Sequence, residues 1–169
     1  IYDDLSENGD GEEISTAELE KLMHYDFEKN DSKYKELKHA LTELVPDEKV
    51  VLFAYYRPTL SYLRHRLVDD GISVTVIHGD VPNERRWEEI ERFKDPRGPR
   101  VLLSSEVGSE GIDLQFCRVM VNYDMPWNPM RVEQRIGRID RVGQKAKRLS
   151  IVNFKIRGTI EERLYDRLH

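Results

Sequence analysis

The chain has 169 residues, 38% hydrophobic and 35% charged, with a net charge of −5. That length suits one domain, or one domain with an appendage. It buries roughly two-thirds of the surface its unfolded chain exposes, so no metal or disulfide is needed to hold the fold. No apolar run approaches the roughly 20 residues that span a bilayer and no secretory leader opens the chain, which excludes a membrane protein.

Cys117 is the only cysteine, so neither an internal disulfide nor a cysteine-based zinc cluster can form, and Cys117 is expected in the core. The expected location is intracellular, cytoplasmic or, in a eukaryote, nuclear. The first residue is Ile1 rather than Met, which points to a fragment cut from a longer chain. The negative charge argues at first against a nucleic-acid partner, but its distribution reverses that reading. Residues 1–31 hold eleven Asp/Glu and two Lys/Arg, so the remaining residues carry a net +4, and Arg131 to Arg148 hold seven basic and two acidic residues. An acidic head masks a basic body.

In chain order, residues 1–30 read as an acidic, partly helical N-terminal segment, and residues 31–169 as the main domain. Within the head, Ser6 to Gly11 has the flavour of a calcium loop. Counted from Ser6, however, the eighth and twelfth positions are Glu13 and Ala17, where such a loop needs Ile and Glu. Tyr34, Leu37, Leu41 and Leu44 repeat at helical spacing up to Pro46. From Lys49 the chain alternates. Val50–Tyr55 reads as a buried strand, and Pro58 opens a helix with Leu60, Leu63 and Leu67 on one face until Gly71. Ser73–Ile77 is the next strand. Asn83 is placed to cap a helix carrying Trp87, Ile90 and Phe93. Val101–Ser104 and Arg118–Tyr123 are further strands, Asn128-Pro129 starts a helix, Leu149–Phe154 is a strand and Thr159–Leu168 a last helix. Short strands alternating with helices predict an α/β fold, a parallel sheet covered on both faces. Ligands of such sheets lie beyond the carboxyl ends of the strands, so the loops after residues 77, 104 and 123 are the ones to inspect.

The densest chemistry is Gln134-Arg135-Ile136-Gly137-Arg138-Ile139-Asp140-Arg141-Val142-Gly143-Gln144. On a continuous helix, positions 134, 138 and 141 share one edge, which would present an amide and two guanidiniums. Arginine makes planar, bidentate contacts to phosphate. Gly137 and Gly143 would let the backbone turn or approach a ligand. The bland alternative is a solvated basic helix face. A merely soluble face, however, gives no reason to interleave Gln and Gly.

QRIGRIDRVGQ resembles motif VI of superfamily 2 ATPases, and its trailing Gln and Asp140 are most similar to Swi/Snf-like members, especially the bacterial RNA-polymerase-associated kind. Residues 101–115, VLLSSEVGSEGIDLQ, are similar to motif V; residues 50–63, VVLFAYYRPTLSYL, to motif IV; and residues 78–94, HGDVPNERRWEEIERFK, to the segment after it. TIEERLYDRL resembles the helix that often closes this lobe. The resemblance covers residues 31–169. It implies a RecA-like (P-loop NTPase-type) second lobe of an ATP-dependent nucleic-acid translocase, with ATP and its magnesium held by a first lobe and no metal held here.

Site roles follow from the same resemblance. Arg138 and Arg141 match arginine fingers that reach the γ-phosphate of ATP. Gln134 and Arg135 match positions that couple the lobes around the nucleotide. Asp113 matches a contact to the ribose or the lobe interface, and Gly111 leaves room for close approach. Ser104 and Ser105 match positions that touch the nucleic-acid backbone. Family members often carry Arg or Gly where this chain has Glu110, so no phosphate contact is assigned there. Tyr55 and Arg57, at a strand end, and His78-Gly79 are further candidates for that backbone, though an aromatic beside an arginine is as often packing and a lone His is usually structural. Trp127 is expected to pack.

The 169 residues contain no GxxxxGK[ST] phosphate loop, and Asp47-Glu48 precedes a strand rather than following one, as a magnesium-binding pair would. The implied partners are nucleic acid, DNA ahead of RNA, and the N-terminal RecA-like lobe; this chain alone is expected to be inactive. A strand-separating DNA or RNA helicase and a non-catalytic interaction module, using the acidic head as its partner site, remain the rival readings.

Overall fold

The computed structural model describes residues 31–44, 48–126 and 128–155. The calcium-like run, Trp127 and the expected closing helix lie outside them. The chain divides into two compact units, Ile1–Ser32 and Lys33–His169. Every described element belongs to the second unit, apart from Ser32 at the head of the first helix.

The elements are α1 (Ser32–Glu43), β1 (Val50–Phe53), α2 (Arg57–Asp69), β2 (Val74–Ile77), α3 (Asn83–Lys94), β3 (Val101–Ser104), a 3₁₀ turn (Val107–Ser109), β4 (Val119–Asn122), α4 (Pro129–Ile139) and β5 (Ser150–Asn153). The five strands form one parallel sheet in the order β2-β3-β1-β4-β5. The expected strands are present: β3 has the expected bounds, and the other four are shorter by one or two residues. Alternate strand residues point to opposite faces. Val50 and Leu52 therefore pack with Tyr34, Leu37 and Leu41 of α1 and Leu60, Leu63 and Leu67 of α2. Val51 and Phe53 pack on the other face with Ile90 and Phe93 of α3 and Ile139 of α4. Both faces are covered, which is why β1, β3 and β4 are apolar at nearly every position rather than alternating.

Cys117 lies in the second of these cores, its thiol pushed up to about 11 by burial. Asn83 does not cap α3. Pro82 holds the cap position, and Asn83, the first helical residue, takes a hydrogen bond from Arg86 instead. Asn128 caps α4 as its sequence predicts, its side-chain oxygen accepting from the Met130 N–H at 3.0 Å with Pro129 next in line. Glu48, which precedes β1, is gripped by Arg118 through two bonds of 2.8 and 2.6 Å.

Candidate functional site

In a parallel sheet all carboxyl ends share one edge. Here that edge gathers the loop after β1 (residues 54–56), the loop after β2 (78–82), the long segment after β3 (105–118) and the turn into α4 (123–128). It holds two clusters.

The first cluster lies between the segment after β3 and α4. Glu106, Val107, Ser109 and Glu110 face Arg131, Gln134, Arg135 and Arg138 across a cleft of about 250 Å³. Glu106 organises it: its carboxylate pairs with Arg131 and with Arg135, the latter at 3.2 Å. Arg135 is 2% exposed. It also donates to Asn122 Oδ1 at 2.7 Å and the Asp124 carbonyl at 3.2 Å, and its guanidinium lies 5.0 Å from the Phe53 ring centre. Asn122 in turn donates to Asn153 Oδ1 at 2.7 Å. Burial pushes the Arg135 guanidinium below its usual range, and Glu106 acts against that. Arg135 thus ties β1, β4, β5 and the loop after β3 together. These contacts give Arg135 a structural role within this chain, beside the part in coupling the lobes that its motif position implies.

Arg138 is half-buried and donates to the Ser109 carbonyl at 2.6 Å. Its own carbonyl accepts from Leu114 N–H at 3.0 Å, which stitches α4 to the segment after β3. Burial lowers its ionisation, opposed first by Glu110. Arg141 does not share a helical edge with Gln134 and Arg138, because α4 ends at Ile139 and Asp140 caps it with ψ of 88°. The Arg141 carbonyl accepts from the Gln144 N–H at 2.9 Å, while its side chain is exposed and has no hydrogen-bond or ion-pair partner among the described residues. Gln134 is exposed on the cleft. Gly111 has φ of +75°, with open space where a side chain would stand, and Asp113 accepts from the Gln115 N–H at 3.1 Å. Gln144 is a clip rather than a ligand-facing group, donating to the Cys117 and Ile139 carbonyls at 3.0 and 2.9 Å.

Ser104 is wholly buried and its hydroxyl donates to the Ser105 carbonyl at 2.8 Å. Its hydroxyl is shielded from solvent here, whereas a contact to a nucleic-acid backbone would need it accessible. Ser105 is 8% exposed and its hydroxyl accepts from the Gly108 N–H at 3.0 Å, shaping the 3₁₀ turn. Gly108 is required there. A Cβ would stand 2.6 Å from the Ile77 carbonyl oxygen and 2.7 Å from His78 Cα.

The second cluster lies at the ends of β1 and β2. Tyr55 is 53% exposed and packs edge-on against Tyr56; its N–H donates to Asp124 Oδ2 at 3.2 Å. Arg57 is exposed but engaged by Asp80 at 2.6 Å. His78 is half-buried, with Nδ1 buried and without a hydrogen-bond partner, and Gly79 is exposed beside Val107. The structure brings Arg57 and His78 to one groove and keeps Ser104 out of it. Sequence reasoning missed Glu106, Asn122, Asp124 and Asn153. The available signal was polar residues at the ends of apolar strands, as in VMVN and SIVN.

A model of the family described as helicase conserved C-terminal domain matches residues 32–143. The chain is 42% identical over 127 residues to an uncharacterized ATP-dependent helicase, YqhH, of Bacillus subtilis (strain 168), covering 73% of this chain and 22% of that protein. It is 38% identical over 117 residues to the RNA polymerase-associated protein RapA of Vibrio vulnificus (strain YJ016), covering 68% of this chain and 12% of that one. Among solved structures, the C-terminal part of the Fun30 ATPase domain matches with a TM-score of 0.73 at 26% identity, over 89% of this chain and 50% of the other. The chain thus spans a minor part of the length of these two relatives. Among the described residues, no helix is long and apolar enough to cross a membrane.

Proposed function

The chain belongs to the helicase conserved C-terminal domain family, as a RecA-like lobe of the superfamily 2, Swi/Snf-like kind, and from that premise we propose that it completes the ATPase site of a nucleic-acid translocase with Arg138 and Arg141. The observation that carries this reading is the contrast within motif VI. Arg135 is consumed by the fold, whereas Arg141 is left exposed and unpaired and Arg138 is held by a single carbonyl at the rim of the cleft. A carbonyl fixes a guanidinium without neutralising it, so Arg138 keeps its charge and further N–H donors for phosphate oxygens. The open space at Gly111 lets another body come close.

ATP supplies the γ-phosphoryl group, on which charge builds during transfer. The residues of this chain would bind and neutralise that charge from the side opposite the lobe that holds ATP. The donor set fits an anion. A phosphate loop is absent from the 169 residues, and among the described residues no group of three or more His, Cys, Asp or Glu could hold a metal ion. On this reading ATP with its magnesium is held by a first lobe, and this chain alone is expected to be inactive. Tyr55, Arg57, His78, Gly79 and Ser105 stay as candidate contacts to the nucleic-acid track, for which DNA is favoured over RNA.

The test is turnover in the full-length parent with saturating ATP and either duplex DNA or RNA. Arg138→Ala and Arg141→Ala should each cut stimulated turnover roughly a thousandfold, and Arg141→Lys nearly as much, because lysine lacks the planar fork. Normal turnover in Arg141→Lys, with unchanged melting, removes the assignment.

A further inference from the structure

β2 forms one margin of the sheet. The carbonyls of Ser73 and Ile77 accept from Val101 N–H at 3.0 Å and Ser105 N–H at 3.2 Å, on the β3 side. Peptide groups alternate sides along a strand, so those of Val74 and Val76 face outward. No strand among the described residues pairs with them. The edge therefore presents N–H donors and C=O acceptors in alternation. The two valine side chains, half-buried against the α2 side of the core, stand beside them.

That edge is the floor of a groove of about 480 Å³ between α2 and α3. Arg57, Arg64, Arg85 and Arg92 line it, against the carboxylates of Asp80 and Glu89. Arg57 is taken by Asp80, and Arg92 meets Glu89 at 3.4 Å. The side chains of Arg64 and Arg85 are exposed and have no hydrogen-bond or ion-pair partner among the described residues. Charges along an edge normally guard it against pairing with the wrong strand. Here the guard has one sign. It repels the same edge of a second copy and favours an acidic strand. A phosphate backbone matches the guanidiniums but not the floor. Phosphate oxygens only accept hydrogen bonds, and the Val74 and Val76 carbonyls would repel them. An extended peptide supplies both donors and acceptors.

We propose that the groove is a strand-addition site for an extended, acidic segment of a partner protein. The segment pairs its main chain with Val74 and Val76 and sets its carboxylates on Arg64 and Arg85.

The test uses the 169-residue chain and two fluorescent peptides of equal charge, one alternating Glu and Val, the other the same sequence with every peptide nitrogen methylated. The second has no N–H to donate on either edge. The unmethylated peptide should bind several-fold more tightly. Val76→Pro, which deletes an outward N–H and no bond to β3, should weaken it roughly fivefold. Arg64→Glu with Arg85→Glu should weaken it at least tenfold. In the unsubstituted chain, bound peptide should slow amide exchange at Val74 and Val76, a readout that stands even if Val76→Pro folds poorly. Equal binding of both peptides with unprotected amides would reduce the groove to a charged surface. Displacement of the peptide by duplex DNA or RNA that needs Arg64 and Arg85 but is indifferent to Val76→Pro would make it a nucleic-acid track. Either result overturns the proposal.

Discussion

Two clusters of arginines sit on the same sheet edge, and they are held in opposite ways. Beside α4, positive charge is spent inward: Glu106 takes Arg131 and Arg135, Asn122 takes a further donor of Arg135, and the Ser109 carbonyl takes Arg138. The Arg141 side chain, past the helix end, has no partner among the described residues. Beside β2, most of the charge faces solvent: Arg57 is paired on the surface with Asp80, while Arg64 and Arg85 are unpaired. A buried guanidinium whose two terminal nitrogens are met by acceptors, as in Arg135, is part of the framework even with its Nε left unpartnered. An exposed one contributes almost nothing to the framework and is available for something else. Residue type does not separate the two cases; the local supply of acceptors does.

That contrast is broken most directly at Arg135 and Arg141. Arg135→Ala strips the partly buried Glu106 carboxylate of one partner and leaves Asn122 with an unmet acceptor. Removing one member of a buried pair costs roughly 3–5 kcal/mol, which lowers the melting temperature of a domain this size by roughly 6–20 °C. Arg141→Ala should change stability by less than about 0.5 kcal/mol. Arg138→Ala should fall between them, because its bond to Ser109 is single and its side chain half-buried. Urea or thermal unfolding of the three variants gives the ranking. Equal losses at Arg135 and Arg141 would erase the distinction between anchored and available arginines.

The two clusters meet at one close contact, where the 3₁₀ turn after β3 lies on the end of β2. Gly108→Ala places a methyl 2.6 Å from the Ile77 carbonyl oxygen, which is backbone and cannot swing away. The expected loss is roughly 1–3 kcal/mol, as in other overpacked sites. Gly137 offers the opposite case. It lies inside α4, exposed, with nothing within 4 Å of a Cβ. Gly137→Ala should therefore stabilise the isolated chain by about 0.5–1 kcal/mol. If the full-length parent loses turnover with that same methyl, another body packs against α4 there. Destabilisation by Gly137→Ala in the isolated chain would show that α4 is not formed as described.

Periodicity made most of the fold legible. The apolar runs from Val50, Val101 and Val119 become strands buried on both faces, and Leu60, Leu63 and Leu67 become the inward stripe of α2. Motif spacing located the candidate edge, because strand ends and their loops are local features. What it could not reveal was which polar side chains satisfy one another across the chain. Arg135 and Glu106 are 29 residues apart, and Asn122 and Asn153 are 31. Ser104 matches a family position that touches the nucleic-acid backbone, and motif spacing gives no sign that its side chain is wholly buried. Arg141 looked helical because the pattern runs on, but the chain leaves the helix at Asp140.

The smallest effect sharpens the comparison from the β2 side. Arg57 and Asp80 are 60% and 57% exposed, so their pairing is screened by water and contributes at most a few tenths of a kcal/mol to the fold. Asp80→Asn should leave the melting temperature unchanged. It should nonetheless alter binding, because it frees a guanidinium that sits where the sequence pattern expects a nucleic-acid backbone. Each phosphate neutralised releases counterions, so log affinity falls with log salt by about 0.9 per contact on duplex DNA. The unmodified chain is expected to bind a fluorescent duplex weakly, without base preference and with a steep salt dependence. Asp80→Asn should tighten that binding at low salt and steepen the slope by about one contact, while Asp80→Asn combined with Arg57→Ala should return it to or below the starting value. A slope identical in all three chains would mean that Arg57 never meets a phosphate. The second arginine cluster would then face proteins alone.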